Sequence, residues 1–223
     1  MIEDATLLIC SATRIEYSAL TPIMVLPVEL DVDDGDILKS AIGFDPTFSL
    51  TFVIAVSSYS GSFPAYGMTK TLLAMLLNLE KVYKTGGVWG DADMGSVVVS
   101  GYDDNNMVLE DRWSSDQGVP LTRRQGFPSE TMYDFSYRVP GVIRSATTCG
   151  GRSIVGESSS CANFYEWEGS GFYSAVQRSN FGGEFGLVSV VTNNWGQTRF
   201  KQCQVPEAFK NLTNFWLKFL ADD

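Results

Sequence analysis

Short apolar runs alternate with polar, glycine-bearing stretches along most of the chain. Ala5 to Cys10 (ATLLIC), Leu50 to Val56 (LTFVIAV), Ser96 to Ser100 (SVVVS), Val142 to Ala146 and Phe185 to Val191 (FGLVSVV) each predict a buried strand. Thr13 to Glu16 reads as a loop entering a helix at Tyr17 to Leu20. Pro64 suits a first helical turn, and Met68, Leu72, Met75 or Leu76, and Leu79 recur at helical spacing, which predicts an amphipathic helix over 64–80. Gly169 to Arg178 predicts a helix ahead of the strand at 185–191. Phe209, Leu212, Trp216 and Phe219 share one face of a closing helix over 206–220. Ser57 to Phe63 reads as a Ser/Gly-rich loop and Thr85 to Gly90 as a glycine loop. Such alternation favours an α/β sheet with ligands at the strand ends.

Two segments break the alternation. Asp31, Asp33, Asp34 and Asp36 surround Gly35, but their spacing misses the calcium-loop pattern, so an acidic hairpin turn is expected. Asp103 to Val139 is polar with little periodicity and reads as a long excursion covering a site or a subunit contact. No internal repeat, low-complexity tract or linker divides the chain, so one domain over 1–223 is expected.

Composition narrows the chemistry. The 223 residues are 44% hydrophobic and 19% charged, which is ordinary for a folded protein with a substantial core. The apolar run from Leu72 to Leu79 is far too short to span a bilayer, so no membrane partner is expected. The acidic start, Met1-Ile2-Glu3-Asp4, lacks the basic region of a signal peptide, so a cytoplasmic location is expected. There Asn211-Leu212-Thr213, formally a glycosylation sequon, would be silent. A net charge of −10 argues against nucleic acid as partner and leaves a small molecule compatible. The four cysteines form no C-x-x-C pair. The chain has no histidine, which excludes Ser-His-Asp and Cys-His mechanisms and removes the commonest metal ligand. Acid/base work must then come from carboxylates, Tyr, Lys or water.

Three polar clusters follow apolar strands: Ser11-Ala12-Thr13-Arg14-Ile15-Glu16, Tyr165-Glu166-Trp167-Glu168-Gly169-Ser170-Gly171, and Val190-Val191-Thr192-Asn193-Asn194-Trp195. Each has a plain structural reading. Glu16 suits the positive end of a helix, the glutamate pair suits a solvated edge, and the two asparagines suit a turn. In an extended segment Glu166 and Glu168 point to one side, where two like charges need separate partners or a purpose.

Taken together the clusters resemble the purine nucleosidases of the nucleoside phosphorylase/hydrolase superfamily: the methylthioadenosine/adenosylhomocysteine nucleosidases and, more closely, the futalosine hydrolases. Ala12-Thr13-Arg14-Ile15-Glu16 looks like the family's A-T-x-x-E. Ser60-Gly61-Ser62-Phe63-Pro64 sits where the family has T-G-x-G, and Thr85-Gly86-Gly87-Val88-Trp89-Gly90 where it has N-x-G-x-A-G. Gly95-Ser96-Val97-Val98 looks like G-D-V-V, and Glu166-Trp167-Glu168-Gly169 is similar to E-M-E-G/A. Thr192-Asn193 occupies an S-D or S-N position, and Val205 to Leu212 looks like the tail of futalosine hydrolases.

The resemblance implies a single-domain, three-layer α/β/α fold around a central mixed twisted sheet. It also implies a homodimer or larger homo-oligomer, no cofactor and no metal. Glu16 and Asn193 would be the catalytic residues, Glu16 as the base that activates water. Glu168 would accept hydrogen bonds from two ribose hydroxyls. Trp167, in place of a family Met, would pack on the sugar. Glu166, Gly61, Gly87 and Thr148 would complete the substrate contacts, with Thr147 to Gly150 as the base-binding segment. An amide at 193 donates to a 6-keto oxygen and accepts from a protonated N7. The expected substrate is therefore a 6-oxopurine nucleoside such as futalosine, with hypoxanthine released, which would place the reaction in menaquinone biosynthesis. Two alternatives stay open. One is a phosphorylase, with Arg14 serving phosphate, although no G-D-P-x-R-type segment lies near the N-terminus. The other is a non-catalytic nucleoside-binding protein, motivated by the bulky Phe63, Trp89 and Trp167.

Overall fold

A computed structural model describes residues 4–45, 50–90, 92–100, 143–144, 148–150, 164–194 and 205–222. The described strands are β1 (Leu7–Ser11), β2 (Val25–Glu29), β3 (Ile37–Asp45), β4 (Leu50–Ser57), β5 (Lys81–Gly90), β6 (Val97–Ser100), β7 (Ile143–Arg144), β8 (Thr148–Gly150), β9 (Phe164–Glu166) and β10 (Glu184–Asn194). The helices are α1 (Arg14–Leu20), α2 (Ser62–Met75), α3 (Gly169–Arg178) and α4 (Val205–Asp222). The excursion expected at 103–139 lies outside the described residues.

The strands form one mixed sheet in the order β2-β3-β4-β1-β5-β10-β6-β7, with β9 joining β5 to β8. Strands β4, β1, β5 and β10 run parallel at its centre. β1, β4 and the middle of β10 read as apolar runs because helices cover both faces. Alternation along each strand sorts side chains between two cores. Leu7, Ile9, Ile54, Tyr83 and Val190 face the side of α1 and α4. Leu8, Cys10, Val53, Val82 and Leu187 face the side of α2 and α3. The result is the expected three-layer α/β/α arrangement.

Aromatic packing keys α4 to β5. Trp216 meets Phe215 and Phe219 edge-on at centroid distances of 5.3 and 5.4 Å, and its indole Nε1 donates to Thr85 Oγ1 at 3.2 Å. The Thr85 hydroxyl in turn donates to the Val188 carbonyl of β10 at 2.7 Å. Among the described residues no helix is long and apolar enough to cross a membrane.

Four local expectations are corrected. Helix α1 begins at Arg14 rather than Tyr17, because Thr13 is its N-cap and Glu16 completes a capping box. Helix α2 runs over Ser62–Met75 instead of 64–80, since Leu76 is already extended (φ −100°, ψ 90°) and turns the chain toward β5. Residues 85–90 are the second half of β5 and not a loop: their glycines serve close approach across the sheet surface instead of a turn. Asn193 and Asn194 end β10 instead of forming a turn, after a register shift opposite Val88 and Trp89. The acidic turn does join the antiparallel strands β2 and β3, with the Asp36 N–H donating to Asp34 Oδ1 at 2.8 Å.

Candidate active site

The parallel strands deliver their C-terminal ends to one edge of the sheet, where α/β folds place ligands. β1 leads to Ala12-Thr13 and Glu16, β4 to Ser57 through Gly61, β5 to Gly86 and Gly87, and β10 to Asn193.

Glu16 is buried, and among the described residues its carboxylate is hydrogen-bonded by backbone N–H groups. Its Oε2 accepts the N–H groups of Ala12 at 2.8 Å and Thr13 at 2.9 Å, and its Oε1 accepts that of Gly87 at 2.9 Å. The Thr13 contact belongs to the capping box, the Ala12 contact extends it by one residue, and the Gly87 contact ties α1 to β5. Gly86 makes this possible, because a Cβ there would stand 2.5 Å from Glu16 Oε1. Both oxygens are fixed in direction, as a general base that must aim at one water requires.

The glutamates of the second cluster converge on a buried ammonium. Lys84 of β5 is only 2% exposed, and its Nζ lies 2.5 Å from Glu166 Oε2 and 3.1 Å from Glu168 Oε2. Glu166 also accepts the N–H groups of Glu168, at 3.0 Å, and Gly169. Glu168 Oε1 accepts the Gly61 N–H at 3.2 Å, from a residue with φ 131° that side chains other than glycine's rarely adopt. Burial pushes the Glu168 carboxyl up to about 7, against the pull of Lys84, with Glu166 and Glu16 adding to the rise. For Lys84, burial pulls the ammonium down, but Glu166, Glu168 and Glu16 outweigh it and the net direction is up. Lys84 therefore stays charged.

Asn193 is 0% exposed, and neither its Oδ1 nor its Nδ2 has a hydrogen-bond partner among the described residues. Thr192, beside it, spends its hydroxyl on the Val88 carbonyl at 3.4 Å.

The structure thus brings together Glu16 with Gly87, and Glu166 with Glu168 and Gly61. Asn193 pairs in register with Trp89 on the neighbouring strand β5. Trp167 stands between the two glutamates at 38% exposure. Thr148 lies on β8 in register with Phe164, and Gly150 with Glu166; Thr147 lies outside the described residues. Phe63 is exposed on the first turn of α2, and Arg14 is exposed on α1. Sequence reasoning missed Lys84. A signal existed: a lysine inside a strand covered on both faces must have a buried partner. It was hidden by reading 85–90 as a loop. The Cys10 thiol, pushed up to about 12 by burial, is not a nucleophile here. Among the described residues no cluster of three or more His, Cys, Asp or Glu is placed to hold a metal ion.

No family model matches the chain, and no curated protein sequence matches it. Solved structures do. Futalosine hydrolase of Helicobacter pylori superimposes with a TM-score of 0.72 at 14% identity, covering 99% of each chain. The 5′-methylthioadenosine nucleosidase of Arabidopsis thaliana gives 0.67 at 14%, covering 98% of this chain and 93% of that one. The 5′-methylthioadenosine/S-adenosylhomocysteine nucleosidase of S. pneumoniae, solved with a transition-state inhibitor, gives 0.70 at 15%, covering 96% and 98%. Over almost its whole length, this chain shares the fold of these hydrolase and nucleosidase structures.

Proposed function

We propose that this protein is an N-ribosyl hydrolase that cleaves the N-glycosidic bond of a purine nucleoside, a 6-oxopurine such as futalosine, and releases hypoxanthine. The observation that carries the reading is Asn193, wholly buried with both amide atoms unpartnered among the described residues. Leaving a buried polar group unsatisfied costs about 1–3 kcal/mol, so a ligand that pairs both atoms recovers that cost. A 6-oxopurine protonated at N7 offers an acceptor at its 6-oxygen for Nδ2 and a donor at N7 for Oδ1.

The other groups fit the same reaction. Water attacks C1′ as its proton passes to Glu16, the C1′–N9 bond breaks, and the base leaves carrying a proton that N7 takes from solvent. Glu168 presents acceptor oxygens to the vicinal diol. Carboxylates outnumber ammonium groups around these strand ends, which favours an oxocarbenium-like transition state. That excess also disfavours phosphate as the nucleophile, and the exposed Arg14 is the wrong side of α1's buried Glu16 to offset it.

The test is to incubate the protein with inosine, futalosine and methylthioadenosine, with and without phosphate, and follow free base. Release from inosine or futalosine independent of phosphate is expected. An absolute phosphate requirement would overturn hydrolysis, and binding without any release would leave the non-catalytic nucleoside-binding reading.

A further inference from the structure

We infer that Lys84 is a positioning residue: its ammonium, clamped to Glu166, sets the Glu168 carboxylate as the acceptor for a vicinal diol. The inference rests on the nucleosidase reading and gives it a specificity device, a requirement for a riboside over a 2′-deoxyriboside.

The two glutamates are not equivalent. Glu166 takes three donors, the Lys84 ammonium and the N–H groups of Glu168 and Gly169. Those contacts lock the first turn of α3 and leave little capacity for a ligand. Among the described residues Glu168 takes only the Lys84 ammonium on Oε2 and the Gly61 N–H on Oε1. A carboxylate has about four lone-pair sites, so Glu168 keeps acceptors for two hydroxyls. Lys84 reaches both glutamates from β5, 82 and 84 residues away in sequence.

The groups facing this ammonium come from every side. Glu166 ends β9, Glu168 precedes α3, Glu16 lies on α1, Cys10 lies on the adjacent strand β1, and Tyr173 of α3 faces Glu166. Cys10 and Tyr173 are both driven up by burial and stay neutral. The charge balance is therefore set by Lys84 against the three glutamates. Without the ammonium, Glu168 loses the cation that opposes the rise caused by its burial, and it protonates at higher pH. A protonated Glu168 surrenders acceptor capacity, so the acid limb of kcat/KM, expected near 7, should move upward.

The experiment compares Lys84→Met and the paired variant Lys84→Met/Glu166→Gln with the unaltered protein, using inosine and 2′-deoxyinosine. The paired change removes one charge of each sign and so spares the fold an extra unpaired carboxylate. Circular dichroism and thermal melting establish which variants fold. In the folded variants the ratio of kcat/KM for riboside over deoxyriboside should fall at least about tenfold, the equivalent of one lost hydrogen bond to a charged group. With Lys84→Met the acid limb should also rise. A folded variant that keeps the ratio and the acid limb overturns the inference. So does failure of both variants to fold, which would make Lys84 a stability element. If the unaltered protein hydrolyses nothing, the nucleosidase reading fails separately, and calorimetric binding of the same two nucleosides still reads the riboside preference.

Discussion

Two carboxylate sites stand side by side at the ends of the parallel strands, and they are built in opposite ways. Glu16 is held by three neutral backbone N–H groups, two of them within four residues of it in sequence. Glu168 is held by a cation 84 residues away and by an N–H 107 residues away. The first arrangement fixes direction without an ionic partner in hydrogen-bond contact, which suits the base proposed for Glu16. The second sets a charge balance, which suits the diol acceptor proposed for Glu168. Nearly equal burial therefore accommodates two differently held carboxylates, one hydrogen-bonded to backbone dipoles and one to an ammonium.

The sharpest way to break the comparison is Glu16→Gln. It keeps the size of the side chain but removes the base, and kcat should fall about 10²–10⁴-fold while inosine binding is retained. Turnover with calorimetric binding checks this, and unchanged turnover would remove Glu16 from the reaction. The amide cannot accept from all three N–H groups, so a loss of about 1–3 kcal/mol in stability should accompany the change.

Gly86→Ala attacks the same group from the other side of the contact. The new Cβ would stand 2.5 Å from Glu16 Oε1, so the carboxylate must shift. A displacement of that kind costs about 10²-fold in rate when geometry matters. Steady-state kinetics that match the unaltered protein would show that the direction of Glu16 is unimportant.

Asn193→Asp moves the test from sugar to base. A protonated Asp donates to N7 and its other oxygen accepts from a 6-amino group, so the kcat/KM ratio of adenosine over inosine should rise by about tenfold, on the order of one hydrogen bond. No shift in the ratio would undo the link between Asn193 and 6-oxopurines.

The smallest effect is expected at Thr13→Ala. Its hydroxyl accepts the Glu16 N–H at 3.3 Å as the N-cap of α1. Losing it should cost about 1 kcal/mol and lower Tm by roughly 2–4 °C. The Glu16 carboxylate keeps its three N–H donors, so kcat should hardly change; a large fall would mean that the hydroxyl matters to the chemistry as well as to the cap.

Much of the fold was legible. The apolar runs at β1, β4, β6 and β10 announced themselves because strands covered on both faces carry unbroken hydrophobic sequence. Helices α3 and α4 were legible from composition and from the aromatic face of α4. The second half of β5 was not, because glycine is ordinarily read as a turn signal. Here Gly86 is present for what lies against it, the Glu16 carboxylate, which no local pattern reveals. The end of α2 was missed for a similar reason: Leu79 keeps the helical spacing by chance while packing from a loop.

The sequence by itself determined the alternation of strand and helix, the absence of histidine chemistry, and the local tie between Thr13 and Glu16. These depend on residues close along the chain or on composition, where periodicity and capping act directly. Only the tertiary structure decided that Lys84 lies under both glutamates, that Gly61 closes on Glu168, and that Asn193 is buried with its amide unspent. Those facts arise from strand order and register, which bring distant residues within a few ångströms. A buried charge is stable only with its partner, and the partner is chosen by the sheet rather than by the neighbouring sequence.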